Sequence, residues 1–319
     1  HTAFNPFLML GICLCGFIFA VMKTILITGS NGLLGQKLVE LLLQQPTIKV
    51  IATARGANRL PFTDGYDYYS MDITNREEVT SVVEKTLPDA IIHGAAMTNV
   101  DQCESEKEAC WSQNVTAVQH IVDVCRKHDI FLCHVSTDFI FDGTAGPYTE
   151  EGEANPLSFY GWSKYAAEKL VQHSGIRWAI ARTVLVYGIA YDMSRSNIIL
   201  WVKKSLEDGK NIKVVTDQWR TPTLAEDLAM GCYLIANQEA ESIFNISGKD
   251  LLTPYEMAMM TADYFELDKS LIAQADSSNF SQPAKRPART GFVLDKARTI
   301  LGYEPRSFND GIAILAGQL

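Results

Sequence analysis

The chain has 319 residues, 47% of them hydrophobic and 20% charged, which is typical of a globular protein with one large or two modest domains. A formal net charge of −9 and an isoelectric point near 5.2 argue against nucleic acid and against an anionic membrane as main partners. The seven cysteines include no C-x-x-C pair and the six histidines show no metal-ligand spacing. We therefore expect no disulfide framework and no metal, and a cytoplasmic location.

The N-terminal segment is apolar and carries no Lys, Arg, Asp or Glu before residue 23. Its apolar run is shorter than the roughly 20 residues that span a bilayer, and it lacks the basic region of a signal peptide. Met22 directly precedes the first predicted strand, as a natural start would. We interpret residues 1–21 as an extension outside the fold. A membrane anchor and a segment packed on the fold are the alternatives.

The first predicted element is a buried strand, residues 24–28, that leads into a glycine-containing turn and an amphipathic helix over residues 36–43. In such a unit the three glycines allow a tight turn, a close backbone approach to pyrophosphate and helix packing on the strand. The free N–H groups of the helix N-terminus would bind the pyrophosphate. A turn without a ligand is the alternative. The turn comprises Gly29, Ser30, Asn31, Gly32, Leu33, Leu34 and Gly35.

Short apolar strands then alternate with helical patterns, which predicts a doubly wound parallel sheet of Rossmann type, an α/β fold. Further strands are predicted at residues 49–53, 68–72, 90–93, 130–136 and 177–187, and helices at 76–86, 105–128 and around Tyr160.

After residue 188 the pattern changes to a smaller α/β lobe. Helices are predicted at residues 197–206, 223–236 and 253–265, and strands at 211–215 and 243–246. We expect a dinucleotide-binding domain over residues 22–188, with return segments at about 223–249. Residues 189–222 and 250–319 would form a substrate-binding lobe.

Tyr160 and Lys164 are four residues apart in a helical pattern, so their side chains share one helix face. A nearby ammonium favours the phenolate and lowers a tyrosine pKa from about 10 toward neutrality. Tyr160 would then serve as a general acid or base. Because any helix can carry such a pair at its surface, this interpretation depends on the glycine turn in the same chain.

Several candidate residues follow predicted strands directly. Ligands of doubly wound sheets bind outside the carboxyl ends of the strands. The glycine turn, Ala95, Ser136 and Tyr187 all lie at such ends. His93 and His134 fall within strand patterns, and we interpret them as packed core residues.

Taken together, these motifs resemble the extended short-chain dehydrogenase/reductase family and, within it, the dTDP-4-dehydrorhamnose reductases. The resemblance runs from about residue 23 to the C-terminus. It rests on the glycine turn, on residues 94–101, 136–143 and 160–164, on residues 217–223 and on Arg286-Pro287.

The resemblance implies a reductase that transfers hydride from a nicotinamide to the keto carbon of a nucleotide-linked 4-keto-deoxysugar. Tyr160 would donate the proton, Lys164 would lower its pKa and hold the nicotinamide ribose, Thr137 would hydrogen-bond the carbonyl oxygen, and Asn114 would hold a water. The implied substrate residues are Ser136, Thr137, Asp138, Phe139, Arg220 and Arg286. The implied cofactor residues outside the turn are Arg55, Asp72, Ile73, Ala95, Ala96, Met97, Tyr160 and Lys164.

The second strand ends in Ala52-Thr53-Ala54-Arg55, without the carboxylate that an NAD site of this type usually has there. Arg55 can instead pair with a 2′-phosphate. This predicts NADPH, with NADH as an alternative cofactor and a solvated loop arginine as the alternative role. Because the protein is acidic, a substrate diphosphate needs local cations, which Arg220 and the cluster Lys285, Arg286 and Arg289 would provide.

Three departures from the family pattern leave the sugar open. Phe139 stands where the family usually has tyrosine, and Arg289 where it often has asparagine. Val184-Leu185 follows Arg182-Thr183, where the family often has tryptophan. A sugar-nucleotide epimerase or dehydratase that retains NAD is one alternative, against which the missing carboxylate argues. A non-catalytic regulatory subunit is the other, against which the intact Tyr160–Lys164 pair argues. The sequence also leaves open a homodimer and the nucleobase.

Overall fold

The computed structural model describes residues 22–191, 197–280 and 282–319. The expectation for residues 1–21 lies outside these residues. Within the described ranges, no helix is both long enough and apolar enough to cross a membrane.

A fully parallel sheet of seven strands forms the centre of the molecule. In chain order the strands are β1 (Lys23–Thr28), β2 (Ile48–Ala54), β3 (Tyr66–Ser70), β4 (Ala90–His93), β5 (Phe131–Thr137), β6 (Trp178–Thr183), β7 (Val186–Tyr187), β8 (Ile212–Val215), β9 (Thr223–Leu224), β10 (Ser242–Asn245) and β11 (Ile272–Ala275). The strand order in the central sheet is β3-β2-β1-β4-β5-β6-β10, and two further pairs, β7–β9 and β8–β11, lie outside it.

Helices cover both faces of the sheet. They are α1 (Leu33–Leu42), α2 (Arg76–Thr86), α3 (Val100–Ser105), α4 (Lys107–Trp111), α5 (Ala117–His128), α6 (Phe159–Gln172), α7 (Ile198–Glu207), α8 (Ala225–Gln238), α9 (Pro254–Tyr264), α10 (Asp295–Leu301) and α11 (Phe308–Ala316). A π-helical segment, Ser112–Thr116, lies between α4 and α5.

The alternation of side chains in β1 explains why the sheet needs both helical layers. Ile25 and Ile27 pack on one face with α1 and α8, whereas Leu26 packs on the other face with α2, α5 and α6. All three are fully buried. A parallel strand buried on both faces reads as a continuous apolar run, which is the pattern of residues 24–28.

This architecture confirms the predicted Rossmann-type α/β fold. The strand order reverses between β1 and β4, and the glycine turn lies at this switch point, where doubly wound sheets bind ligands. The smaller sheets pack with α7, α9 and α11 around two further apolar clusters. β10 returns from this part of the chain to pair with β6 at the edge of the main sheet.

Two predicted elements were wrong in detail. The helix predicted at residues 105–128 is interrupted at Glu106 and contains the π-helical segment, which the hydrophobic pattern does not indicate. The strand predicted at residues 177–187 ends at Thr183, because Leu185 has a positive φ of 36° and redirects the chain into β7. The helix predicted at residues 76–86 is confirmed as α2.

Candidate active site

Tyr160 and Lys164 lie in the first half of α6, whose start is fixed by the Ser158 hydroxyl that accepts a hydrogen bond from Gly161 N. Both side chains are buried. The Lys164 Nζ donates to the carbonyl of Val135 at 2.8 Å and lies 3.3 Å from His134 Nε2. The ammonium is therefore anchored on strand β5, beneath the helix.

The expectation that Lys164 lowers the Tyr160 pKa is wrong in this structure. Burial raises the pKa of Tyr160 well above its ordinary value of 10.0, and a hydrogen bond with Thr137 offsets only part of that effect. Burial also lowers the pKa of Lys164, to about 8. Tyr160 is consequently a neutral phenol at pH 7, the form that can give up a proton.

Thr137, at the end of β5, lies beside a buried carboxyl group. Its hydroxyl donates to Asp138 Oδ1 at 3.2 Å and also lowers the pKa of the Tyr160 phenol. Asp138 also accepts from Thr290 Oγ1 at 2.5 Å, and burial raises the pKa of its carboxyl. The ring of Phe139 lies edge-to-face against Tyr160, with ring centroids 5.7 Å apart. The neighbouring Ser136 is buried, and its hydroxyl has no hydrogen-bond partner among the described residues.

Asn114 lies in the π-helical segment and is buried rather than on a helix surface. Its Oδ1 accepts from Met97 N at 2.8 Å, and its Nδ2 donates to Met97 O at 3.0 Å and to Ser163 Oγ at 2.9 Å. The side-chain amide is thus committed to the loop after β4 and to α6. These contacts use both amide hydrogens and one of the two lone pairs of Oδ1, so the expectation that Asn114 holds a water stays a prediction. Its observed role is to position Met97.

The glycine turn between β1 and α1 is shaped so that two of its glycines cannot readily carry a side chain. Gly29 has a φ of 75°, and a Cβ on Gly35 would lie 2.3 Å from the Gly29 carbonyl oxygen. The N-cap residue Gly32 provides no side-chain cap, so the first N–H groups of α1 remain available to an anion. Asn31 links the turn to the loop after β2 by donating to Ala57 O at 2.8 Å and accepting from Arg59 N at 2.9 Å.

The other predicted cofactor residues lie at the same edge of the sheet. Arg55 follows β2 with 75% of its side chain exposed and lies 3.9 Å from Asp72 Oδ2. Ile73 is buried next to Asp72. Ala95 N donates to Thr28 Oγ1 at 3.2 Å, which places the loop after β4 beside the loop after β1. The remaining residues on this edge are Ser30, Leu33, Leu34 and Ala96.

Of the predicted substrate cations, Arg220 is not open to a ligand. It is buried, and its guanidinium donates to the carbonyls of Trp219 at 2.7 Å, Pro287 at 2.6 Å and Ala288 at 3.3 Å. Its Nε lies 3.9 Å from Asp138. The prediction that Arg220 contacts a substrate diphosphate is therefore wrong for this structure, since its donors are used to hold the loop at residues 287–288.

Arg286 is half-buried and forms a bidentate pair with Asp101 on α3, at 2.7 and 3.2 Å. Asp101 also accepts from Ala284 N at 3.1 Å. The segment that carries Arg286 therefore lies over the loop after β4, beside the candidate site.

The sequence reading missed four contributors to the site: His134, Ser163, Asp101 and Thr290. Each partner lies in a different element, so no local spacing links them. Three of them nevertheless carried a local signal: Ser163 lies within residues 160–164, Asp101 ends residues 94–101, and His134 precedes Ser136 by two residues on the same strand face. Among the described residues, no cluster of three or more His, Cys, Asp or Glu side chains could hold a metal ion.

A buried Tyr–Lys pair and a glycine turn that share the carboxyl edge of a parallel sheet define an extended short-chain dehydrogenase/reductase. Residues 22–319 match the family model described as RmlD substrate binding domain. The chain belongs to this family, which confirms the resemblance inferred from its motifs.

Proteins similar to this chain include reductases and a methionine adenosyltransferase subunit. The dTDP-4-dehydrorhamnose reductase of Aggregatibacter actinomycetemcomitans is 31% identical over 299 residues, which cover 89% of this chain and 95% of that protein. The methionine adenosyltransferase 2 subunit beta of Mus musculus is 28% identical, with 91% and 86% covered. Among solved structures, the dTDP-4-dehydrorhamnose reductase of Bacillus anthracis in complex with NADP is 26% identical, with a TM-score of 0.79 over 93% of this chain and 100% of that one.

Proposed function

We propose that this protein is a cytoplasmic, NADPH-dependent reductase of a nucleotide-linked 4-keto-deoxysugar. The observation that carries this proposal is the buried Tyr160–Lys164 pair on α6, beside the end of β5 and on the sheet edge that also holds the glycine turn. The similarity to dTDP-4-dehydrorhamnose reductases supports the substrate class.

The residues of the glycine turn fit a dinucleotide, because a Cβ on Gly35 is excluded and α1 begins without a side-chain cap. When bound, the nicotinamide cofactor supplies the hydride. The turn would hold the pyrophosphate, and the exposed Arg55 would pair with a 2′-phosphate. Asp72 and Ile73 would flank the adenine, and the loop that begins at Ala95 would lie along the nicotinamide side. The NADP in the Bacillus anthracis structure supports the choice of NADPH over NADH.

Tyr160 would hold the proton that the reaction consumes. Its raised pKa keeps the phenol neutral, so that it protonates only a strong base such as a developing alkoxide. Thr137 would turn its hydroxyl proton from Asp138 to the substrate carbonyl oxygen as negative charge develops there. The charged Lys164, one helical turn along α6, would stabilise the phenolate that remains.

The sugar nucleotide would bind between the main sheet and the second lobe, residues 189–222 and 250–319. Ser136, whose buried hydroxyl has no partner in the described part of the chain, and Phe139, against the Tyr160 ring, would contact the sugar. Arg286 would pair with the diphosphate by exchanging Asp101 for phosphate oxygens.

The test is NADPH oxidation by the purified protein with a panel of nucleotide-linked 4-keto-deoxysugars, in which the nucleobase and the sugar are varied independently. We expect turnover with at least one member and identification of the reduced sugar by mass spectrometry. The Tyr160→Phe variant is the control for adventitious oxidation. Absence of turnover with every member would contradict the proposal. Tightly retained NAD released on denaturation would instead indicate an epimerase or dehydratase. NADPH binding without turnover would indicate a regulatory subunit.

A further inference from the structure

A buried histidine on β5 contacts the ammonium of Lys164 from below. His134 is 1% exposed, and its Nε2 lies 3.3 Å from Lys164 Nζ. An ammonium has three N–H donors and no acceptor, and the Val135 carbonyl takes another of the three at 2.8 Å. The contact between His134 and Lys164 is therefore a hydrogen bond in one direction only, with Lys164 as donor.

Because Lys164 is the donor, the protonation state and the tautomer of the His134 imidazole are fixed. If Nε2 accepts, His134 is neutral and carries its proton on Nδ1. Burial and, after it, the charge of Lys164 hold the pKa of His134 well below its usual range, in agreement with a neutral ring. The Nδ1 atom is buried and has no hydrogen-bond partner among the described residues.

A second histidine holds the ring in place. His93 on β4 is the register partner of His134, and the two rings stack with centroids 5.5 Å apart and an interplanar angle of 24°. His93 Nδ1 lies 2.8 Å from Thr28 Oγ1, which also accepts from Ala95 N. The orientation of His134 is thus fixed by residues that lead to the glycine turn.

We propose that His134 is a positioning residue for the reaction proposed above, because its Nε2 accepts a hydrogen bond that keeps Lys164 charged and holds its ammonium on β5. Only the consequence for turnover rests on the proposed function; the hydrogen bond does not. Lys164 is buried where an ammonium is costly, so each acceptor that favours the charged form matters. The other titratable or charged groups around this pair are Tyr160, Glu168, Arg182, Cys110 and His93.

The first test uses the unmodified protein. Long-range ¹H–¹⁵N NMR of histidine-labelled protein reports which ring nitrogen is protonated. We expect His134 to keep its proton on Nδ1, with a bare Nε2, between about pH 6 and 8, whereas exposed histidines titrate in that range. A proton on His134 Nε2 would overturn the proposal, and this result does not depend on any variant folding.

The second test measures the charge of Lys164 directly by ¹⁵Nζ NMR of lysine-labelled protein, with Lys164→Met to assign the signal. His134→Leu removes the acceptor, so we expect the pKa of Lys164 to fall by about one unit, the effect of losing one hydrogen bond to a charged group. His134→Gln restores an acceptor and should recover most of the shift. His120→Leu, a half-buried histidine that pairs with Ile73 O instead, is the matched control and should leave the signal unchanged. An unchanged Lys164 titration in folded His134→Leu would overturn the proposal.

The third test separates this inference from the proposed function. Turnover that needs charged Lys164 is lost as pH rises through the Lys164 pKa, so His134→Leu should lose activity about one unit lower than the wild type. If the wild type turns over and the two pH profiles coincide, His134 is only a packing residue. If no sugar nucleotide is reduced, the proposed function fails while the NMR results still decide the hydrogen bond.

Discussion

Asp101 on α3 and Arg286, 185 positions further along the chain, form a bidentate ion pair at 2.7 and 3.2 Å. The hydrogen bonds from Arg286 hold the pKa of the Asp101 carboxyl below its usual range. The pair ties the loop after β4 to a segment of the second lobe, and it engages the guanidinium of Arg286, a predicted substrate cation with 20% of its side chain exposed.

Arg286→Ala is expected to raise the KM for the nucleotide sugar and to leave NADPH affinity unchanged. A charge-assisted contact contributes about 1.5–3 kcal/mol, so KM should rise by roughly 10- to 150-fold at low salt and by less at high salt. Arg298→Ala, which removes an arginine paired with Glu304 elsewhere on the surface, is the control. Steady-state kinetics at two salt concentrations decide the matter, and an unchanged KM at low salt makes Arg286 a purely structural link to Asp101.

Tyr160→Phe should abolish turnover without affecting cofactor binding, because only the proton donor is lost. General acid catalysis contributes roughly 100- to 10,000-fold, so kcat should fall by at least the lower figure. Tyr165→Phe, on the same helix, is the matched control and should keep the wild-type rate. More than about a tenth of the wild-type rate in Tyr160→Phe would be incompatible with a proton donor worth that factor.

Arg55→Ala is expected to weaken NADPH binding by about 1.5–3 kcal/mol and to change NADH binding little, since NADPH alone carries the 2′-phosphate. The exposure of Arg55 and its 3.9 Å distance from Asp72 leave the guanidinium available for this contact. Titration calorimetry with both cofactors measures the difference. Equal losses of affinity for NADPH and NADH would mean that Arg55 does not contact the 2′-phosphate and acts on both cofactors only through its charge.

The sequence predicts the parallel sheet well because most of its strands are buried apolar runs that alternate with helices. The glycine turn and helix α6 could also be predicted, since their sequence signals lie within a few adjacent residues. The π-helical segment at Asn114 could not be predicted, because a single inserted residue in a helix leaves the apolar pattern almost unchanged.

The failures at Arg220 and Tyr160 have a different cause. A sequence shows the charge of Arg220 but not the three backbone carbonyls that use it. It shows Lys164 four residues from Tyr160 but not that burial is the largest influence on the phenol pKa and raises it. Both depend on long-range packing, which no local spacing records.

Asn114→Ala should destabilise the protein and weaken catalysis together. The variant leaves the buried N–H and C=O of Met97 without their side-chain partner, and each such group costs about 1–3 kcal/mol. Chemical denaturation measures the loss. Asn99→Ala, which removes the N-cap of the short helix α3 at an exposed position, is the comparison and should cost about 1 kcal/mol. A loss for Asn114→Ala no larger than that for Asn99→Ala would show that water replaces the amide.

Lys164 should also leave a signature in the pH dependence of stability. Burial lowers the pKa of Lys164 from its ordinary 10.5 to about 8, so between these values the unfolded chain binds more protons than the native protein. Stability due to this group therefore rises as pH increases from about 8 to 10.5, and the buried charge costs up to about 3 kcal/mol below that window. Lys164→Met removes this contribution to the free energy of unfolding. The stability of the variant relative to the wild type should therefore be greatest near pH 7 and decline between about pH 8 and 10.5.

Urea denaturation of both proteins at several pH values measures this difference. The contributions of other titrating groups cancel in it, because both proteins carry them. A difference that stays constant from pH 7 to 10 would mean that Lys164 keeps an ordinary pKa and is more hydrated than its contacts with Val135 and His134 indicate.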